Sequence, residues 1–270
     1  MSKNFFSECY DIILDRNINS KCQRTTNLYQ YIKINKQSYL FDQIDIISIE
    51  TPGRPNKPKL VSPFEVPNRK PSTKEGHASL IHALAHIEFN AINLALDACY
   101  RFQDMPLDYY LNWLQVAAEE VYHFQLLNEH MQNIGFTYGD FVAHNGLWLM
   151  SVKTEHDFIA RMALIPRTLE ARGIDAVPEM QKKLQFINDT RGIEILEIIK
   201  QDEIKHVTFG DKWFKYACDK QGLDAENYFF ELLEKYDAPK IRGPFNRIDR
   251  KKAGFTEFEL NKLQQQKDSS

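Results

Sequence analysis

Two short stretches decide how this chain is read: Glu119-Glu120-Val121-Tyr122-His123 and Asp202-Glu203-Ile204-Lys205-His206. Each contains Glu-x-x-His. Three residues of α-helix return a side chain to nearly the same face, so each pair can grip one cation from one direction. The flanking positions are apolar: Val116, Ala117, Phe124 and Leu127 share the face of Glu120, and Leu196, Ile199 and Val207 share that of Glu203. These are core-facing stripes with acids and imidazoles set into them. An ionised carboxylate buried without a partner is costly or shifts its pKa until it neutralises. A bound cation removes that penalty.

Each pair has a lone glutamate upstream. Glu88 lies among Ile81, Leu84, Ala91, Ile92 and Ala95; Glu170 lies among Ala163, Pro166 and Ile174. The intervals are 32 residues from 88 to 120 and 33 from 170 to 203. A helical hairpin with Glu on its first arm and Glu-x-x-His on its second therefore occurs twice. One Glu from each of two helices and a Glu-x-x-His from each of two others is the ligand pattern of di-iron and di-manganese carboxylate bundles. The expected metal ligands are Glu88, Glu120, His123, Glu170, Glu203 and His206. Four carboxylates balance two divalent ions, and the lack of thiolate ligands argues against structural zinc. Two iron ions are the first choice, with manganese or a mixed pair as the alternative.

The rest of the chain sorts by texture into an N-terminal extension (1–75), a four-helix bundle (76–222) and a C-terminal helix with a basic tail (223–270). In the extension, a short amphipathic helix is expected over Phe5–Leu14, and Tyr39–Ile49 has strand character. Prolines at 52, 55, 58, 63, 67 and 71 forbid regular helix and predict a strap. The first bundle helix spans Gly76 to Phe102, with Leu84, Ile87, Ala91, Ile92, Ala95 and Leu96 as its apolar stripe. The second spans Asp108 to Ile134 and stops at Gly135. A connection without a long helix follows. The third starts at Thr154, capped with an acid three residues on, and runs to Gly173 with a kink at Pro166. A short piece over Pro178–Ile187 leads to the fourth, Thr190 to Lys220, ended by Gly222. One more helix covers Ala225–Tyr236, and Gln264–Ser270 should fray.

With 270 residues, 43% hydrophobic and 12% aromatic, the chain has globular composition and ample length for a core. Its net charge of −3 and pI near 6.3 give no overall pull toward nucleic acid. No apolar run approaches the ~18 residues of a membrane helix. Glu8, Asp11 and Asp15 interrupt the N-terminus, which does not read as a signal peptide. Cys9, Cys22, Cys99 and Cys218 are scattered without a C-x-x-C pair, so neither a disulfide framework nor a metal knuckle is expected. A reduced, cytoplasmic protein is the simplest reading.

The wording around the motifs carries a resemblance. His86-Ile-Glu88, Gly139-Asp-Phe141, Gly146-Leu-Trp148, Arg161-Met-Ala163, Leu169-Glu-Ala-Arg-Gly173 and Asp202-Glu-Ile-Lys-His206 resemble the DUF455 family of ferritin-like bacterial proteins. The likeness extends to Pro52-Gly-Arg-Pro55 and Gly243-Pro-Phe-Asn246 and so covers most of the chain. It implies an all-α, ferritin-like four-helix bundle and the same six ligand positions, without a reaction. In the wider superfamily an acid directly before the Glu of Glu-x-x-His often holds the opposite histidine's second nitrogen. Glu119 and Asp202 occupy those places; the alternative for each is a surface acid on the helix flank.

Other signals are discounted. His82 and His86 lie roughly 240° and 160° around the helix from Glu88 and point elsewhere. Glu194 and Glu197 likewise face away from Glu203. Tyr109, Tyr110 and Tyr122 read as structural. Arg54, Lys57, Lys59, Arg69 and Lys70 make the strap basic, and Lys240, Arg242, Arg247, Arg250, Lys251 and Lys252 the tail. Such charges are either solvated or a dock for an anionic substrate or an RNA, and thin aromatic interleaving weakens the RNA version.

The leading functional expectation is a di-iron oxidase or hydroxylase acting on a small-molecule substrate, a tRNA-modifying hydroxylase being one version. It would need an external electron donor, since no flavin or nicotinamide fingerprint is present. The alternatives are a ferroxidase or iron-handling protein, and a metal-stabilised binding protein without turnover. The long flanks favour a substrate pocket over a storage cage.

Overall fold

Asn4 opens the first helix: its side-chain oxygen accepts the Ser7 N–H, and α1 runs Phe5–Leu14 as expected. The computed structural model describes residues 3–35, 39–241 and 243–268. Among them the chain is all-α, a helical bundle with no strand. It divides into two units, residues 1–152 with 186–195, and residues 153–185 with 196–270. No helix among the described residues is long and apolar enough to cross a membrane.

The first unit is built on two long helices, α3 (Lys74–Arg101) and α4 (Leu107–Ile134). Thr73 caps α3 by accepting the Gly76 N–H, and α4 stops at Gly135, whose φ of +94° suits a residue without Cβ. α1 packs on α3, and a helix absent from the sequence reading, α2 (Ile18–Ile34), packs on α4. α2 is mostly polar and buries only a few residues, among them Cys22, Leu28 and Ile32, so its periodicity is weak. Ile87 departs from the expected α3 stripe and is exposed; the buried face instead takes in His82, His86, Asn90, Asn93 and Asp97.

Tyr39–Ile49 forms no strand beyond an isolated bridge between Leu40 and Asn4. Side chains replace a partner strand here: the Ile44 N–H donates to Gln103 and the Ile47 N–H to the Tyr100 hydroxyl. The proline strap is irregular apart from a 3₁₀ turn at Pro63–Glu65 and is tied down along its length. The Gly53 N–H donates to the Ile13 carbonyl, and a Cβ at Gly53 would sit 2.2 Å from the Leu14 oxygen. Farther on, Lys59 and Val61 exchange backbone hydrogen bonds with Ala143. A short helix, α5 (Gly146–Lys153), places Trp148, whose indole N–H donates to the Ile49 carbonyl. The four cysteines are buried free thiols.

The second unit corrects the expected third helix. It starts at Phe158, not Thr154, because Asp157 is the residue that accepts the Ala160 N–H. The Thr154 hydroxyl instead receives the Arg161 Nε–H. After α6 (Phe158–Leu164) the chain widens into a π-helical segment, Ile165–Glu170. Pro166 lacks the N–H that an α-turn would use, and the Thr168 hydroxyl donates to the Ala163 carbonyl. The helix then continues through Gly173 as α7 (Ala171–Phe186), which absorbs the separate piece expected after Pro178.

α8 (Thr190–Gln221) and α9 (Ala225–Lys235) fall close to their expected limits. The tail adds α10 (Arg247–Lys252) and α11 (Glu257–Asp268), so the end expected to fray is helical through Asp268. Ser269, Ser270 and the basic Arg242 lie outside the described residues. Most tail cations face acids: Arg247 and Lys251 meet Glu257, Lys252 meets Asp249, and the fully buried Arg250 meets Asp175.

Candidate metal centre

Three of the expected ligands come together in the first unit. Glu88 projects from the middle of α3, and Glu120 and His123 from one face of α4. All three are buried, Glu120 and His123 completely. Nδ1 of His123 stands 3.1 Å from Oε2 of Glu88 and 3.5 Å from Oε2 of Glu120. One donor atom from each residue lies within 4.8 Å of the other two. Burial pushes the Glu88 carboxyl well above the usual carboxylate range, and the neighbouring charge of Glu120 pushes it further; the His123 hydrogen bond opposes both. Two carboxylates and an imidazole held this close, out of water, form an arrangement that a divalent cation would relieve.

Apolar packing fixes these side chains. Phe89, next to Glu88, packs on Phe124, next to His123, with ring centroids 5.2 Å apart, and Tyr138 closes the cluster against both rings.

In the second unit, Glu203 and His206 share the buried face of α8 with Leu196, Ile199 and Val207. Glu170 ends the π-helical segment. Gly173, one turn beyond Glu170 on the same face, leaves its Cβ position 4.0 Å from the Glu203 carboxyl carbon. The helix that carries Glu170 therefore turns that face toward Glu203. The π-turn was not legible as such: Pro166, four residues before Glu170, signalled only a kink.

The acids preceding the motif glutamates have local partners. Glu119 accepts from Gln115, and Asp202 pairs with Lys205 at 3.0 Å. His82 and His86 stay out of the cluster, as expected. His82 stacks on Tyr138 and accepts the Gly139 N–H, while Nδ1 of His86 meets the Tyr138 hydroxyl at 2.8 Å. Burial holds both imidazoles down at a pKa of about 4, so they are neutral packing groups. The Tyr109 and Tyr110 hydroxyls donate to backbone carbonyls at the end of α3, and Tyr122 is half-exposed.

The donor chemistry fits the expected metals: hard carboxylate oxygens with imidazole nitrogen and no thiolate suit iron or manganese. Comparison with known proteins places the chain without naming a reaction. A family model described as "Protein of unknown function (DUF455)" matches residues 14–261. An uncharacterized protein of Haemophilus influenzae is 43% identical over 271 residues, covering 95% of this chain and 92% of the relative. No solved structure matches the chain. On the family match and on this identity across nearly the full length of both proteins, the chain belongs to the DUF455 family.

Proposed function

We propose that this protein is a ferritin-like di-metal carboxylate protein, with Glu88, Glu120, His123, Glu170, Glu203 and His206 as ligands, and that it works as a di-iron oxidase or hydroxylase. One observation carries the reading: the convergence of buried Glu88, Glu120 and His123 from α3 and α4. The same Glu plus Glu-x-x-His pattern recurs in the second unit, on Glu170, Glu203 and His206. When bound, two iron ions supply the redox chemistry that activates dioxygen.

The chain's own residues do the rest. Glu88 and Glu120 bring negative charge into a dry interior, where charge neutralisation by a cation counts for more than at the surface. His123 presents Nδ1 to that charge, which leaves Nε2 to an outer partner. Glu119 and Asp202 are the proposed outer partners of the two ligand imidazoles, fixing their tautomer. The Phe89, Phe124 and Tyr138 rings exclude water beside the first ligand set. Electrons for turnover come from a separate donor protein or reductant.

Metal analysis of protein purified from its native host tests the ligand set. About two iron or manganese ions per chain are expected, and that iron or manganese content should fall toward one or none in Glu120→Ala and in Glu203→Ala. Retention of both ions by either variant refutes the ligand set. Anaerobic loading with ferrous iron followed by oxygen then tests the reaction. Oxygen uptake with a new optical absorption is the expected result. A silent protein that keeps its metal would leave a binding role without turnover, and a cage-sized species in gel filtration would indicate iron storage.

A further inference from the structure

A second group of ligand-type side chains lies within the first unit, away from the motif residues. His77 sits at the start of α3, His130 near the end of α4, and Asp189 just before α8. Oδ2 of Asp189 stands 2.6 Å from Nε2 of His77 and 2.8 Å from Nε2 of His130. All three ligand atoms lie within 4.8 Å of one another. Asp189 and His130 are buried, while the His77 side chain keeps 18% of its surface exposed, giving the group a way to water. The other Asp189 oxygen accepts the Gly192 N–H and so holds the carboxylate in place.

This group is distinct from the first unit's ligand set. His77 precedes Glu88 by eleven residues, about 16 Å along α3, and His130 follows His123 by seven, about 10 Å along α4. From this geometry we infer that His77, His130 and Asp189 form an additional binding site for one late first-row divalent ion, of which zinc is the representative. Two imidazole nitrogens and one carboxylate oxygen with a solvent-facing side are the protein half of a tetrahedral site whose fourth ligand is water. Metal–ligand bonds near 2.0–2.2 Å would separate neighbouring donor atoms by about 3.3 Å, so each histidine need move from Asp189 by only about 0.5–0.7 Å.

The occupied site would tie the first turn of α8 to α3 and α4 through three bonds to one ion. α8 is the helix that continues to Glu203 and His206.

The experiment is a titration of metal-stripped, full-length protein with Zn2+, and with Co2+ for its visible bands. It compares wild type, Glu120→Ala, His77→Ala and Asp189→Asn. Asn is as good an N-cap as Asp, so Asp189→Asn keeps the start of α8 while removing the charge, and circular dichroism verifies its helix content. Wild type and Glu120→Ala should both bind an ion that Asp189→Asn and His77→Ala bind more than about 100-fold more weakly. Equal affinity and stoichiometry in wild type, Asp189→Asn and His77→Ala would overturn the proposal. X-ray absorption of zinc in Glu120→Ala supplies a second readout: two imidazoles and a carboxylate support the site, and a zinc shell without imidazole sinks it. Failure of the di-metal reading leaves this result unchanged, because that reading is tested by ions that Glu120→Ala loses.

Discussion

The two units carry the same ligand pattern and hold it by different means. In the first, Glu88 and the Glu120/His123 pair stand on two unbroken helices of 28 residues each, backed by packed aromatic rings. In the second, Glu170 closes a π-helical segment that itself carries a buried charge. Arg167 is fully buried, with Asp211 at 3.0 Å and Glu259 at 2.6 Å, and the rings of Phe214, Phe229 and Phe255 lie within 5 Å of its guanidinium carbon. A regular helix spaces its side chains through its own backbone hydrogen bonding, and ordinary packing then fixes them. A π-turn is rare and needs neighbours to hold it, and such turns concentrate at functional sites. The second unit therefore depends on specific side chains where the first depends on helix geometry.

The sharpest way to break that contrast is Arg167→Met. Glu259 would remain buried with its cation gone, and Asp211, which keeps Lys215 at 2.7 Å, would lose the second cation that offsets the rise burial imposes on its pKa. Breaking a buried pair from one side costs about 3–5 kcal/mol, and that loss of unfolding free energy is expected here. Denaturant unfolding would measure it. A loss below about 1 kcal/mol, the size of a surface ion pair, would mean that Arg167 does not support the second unit.

Next in size is Gly210→Ala. A Cβ at Gly210 would lie 2.3 Å from Cγ and 2.4 Å from Cβ of Pro166, atoms of a ring that cannot rotate away. Overpacking of this kind costs about 1–3 kcal/mol. The strain falls on the π-segment, so metal retention by the second ligand set should drop along with stability. A variant as stable as wild type would show that α8 and the π-segment can separate freely.

The same contrast explains what the sequence disclosed. Ligands Glu88, Glu120 and His123 were legible because regular helices turn spacing into geometry. The C-terminal ends of α4 and α8 were legible because Gly135 and Gly222 mark them locally. α2 was missed because its few buried residues leave little periodicity. Tyr39–Ile49 read as strand because its apolar residues resemble one, while its backbone partners, Gln103 and Tyr100, lie more than fifty residues away. Pro166 announced a break but not the π-turn, which also depends on Thr168 and on the close approach of the Pro166 ring that Gly210 allows. His77, His130 and Asp189 have no motif spacing: the separations to Asp189 are 112 and 59 residues, so only the fold unites them.

The first unit has a buried charge too, but one held without a carboxylate bond. The Lys21 ammonium donates to the Ile13 carbonyl and to Asn93, and burial brings its pKa down from 10.5 to about 7. Between pH 7 and 10.5 the unfolded chain therefore holds a proton that the folded chain has released. Stability rises with pH through that window, by up to ~1.4 kcal/mol per pH unit from this group. Lys21→Met should remove that slope whatever it does to stability at neutral pH. Denaturant midpoints collected from pH 7 to 10 would reveal it, and an unchanged slope in the variant would rule Lys21 out as its source.

The smallest expected effect sharpens the comparison within the second unit. Gly173 lies inside α7, where glycine costs about 0.5–1 kcal/mol relative to alanine because its unfolded backbone is freer. Its Cβ position meets only the Glu203 carboxyl and Cγ carbons at 4.0 Å, an ordinary van der Waals contact, so a methyl fits there. Gly173→Ala should therefore stabilise the protein by about 0.5 kcal/mol while leaving metal content unchanged. Gly210→Ala makes the same chemical change in the same unit with the opposite sign, because a rigid ring stands where Gly173 has open room. Should Gly173→Ala instead lose metal, Glu203 must use that room when it binds, and the glycine would be part of the ligand's freedom to move.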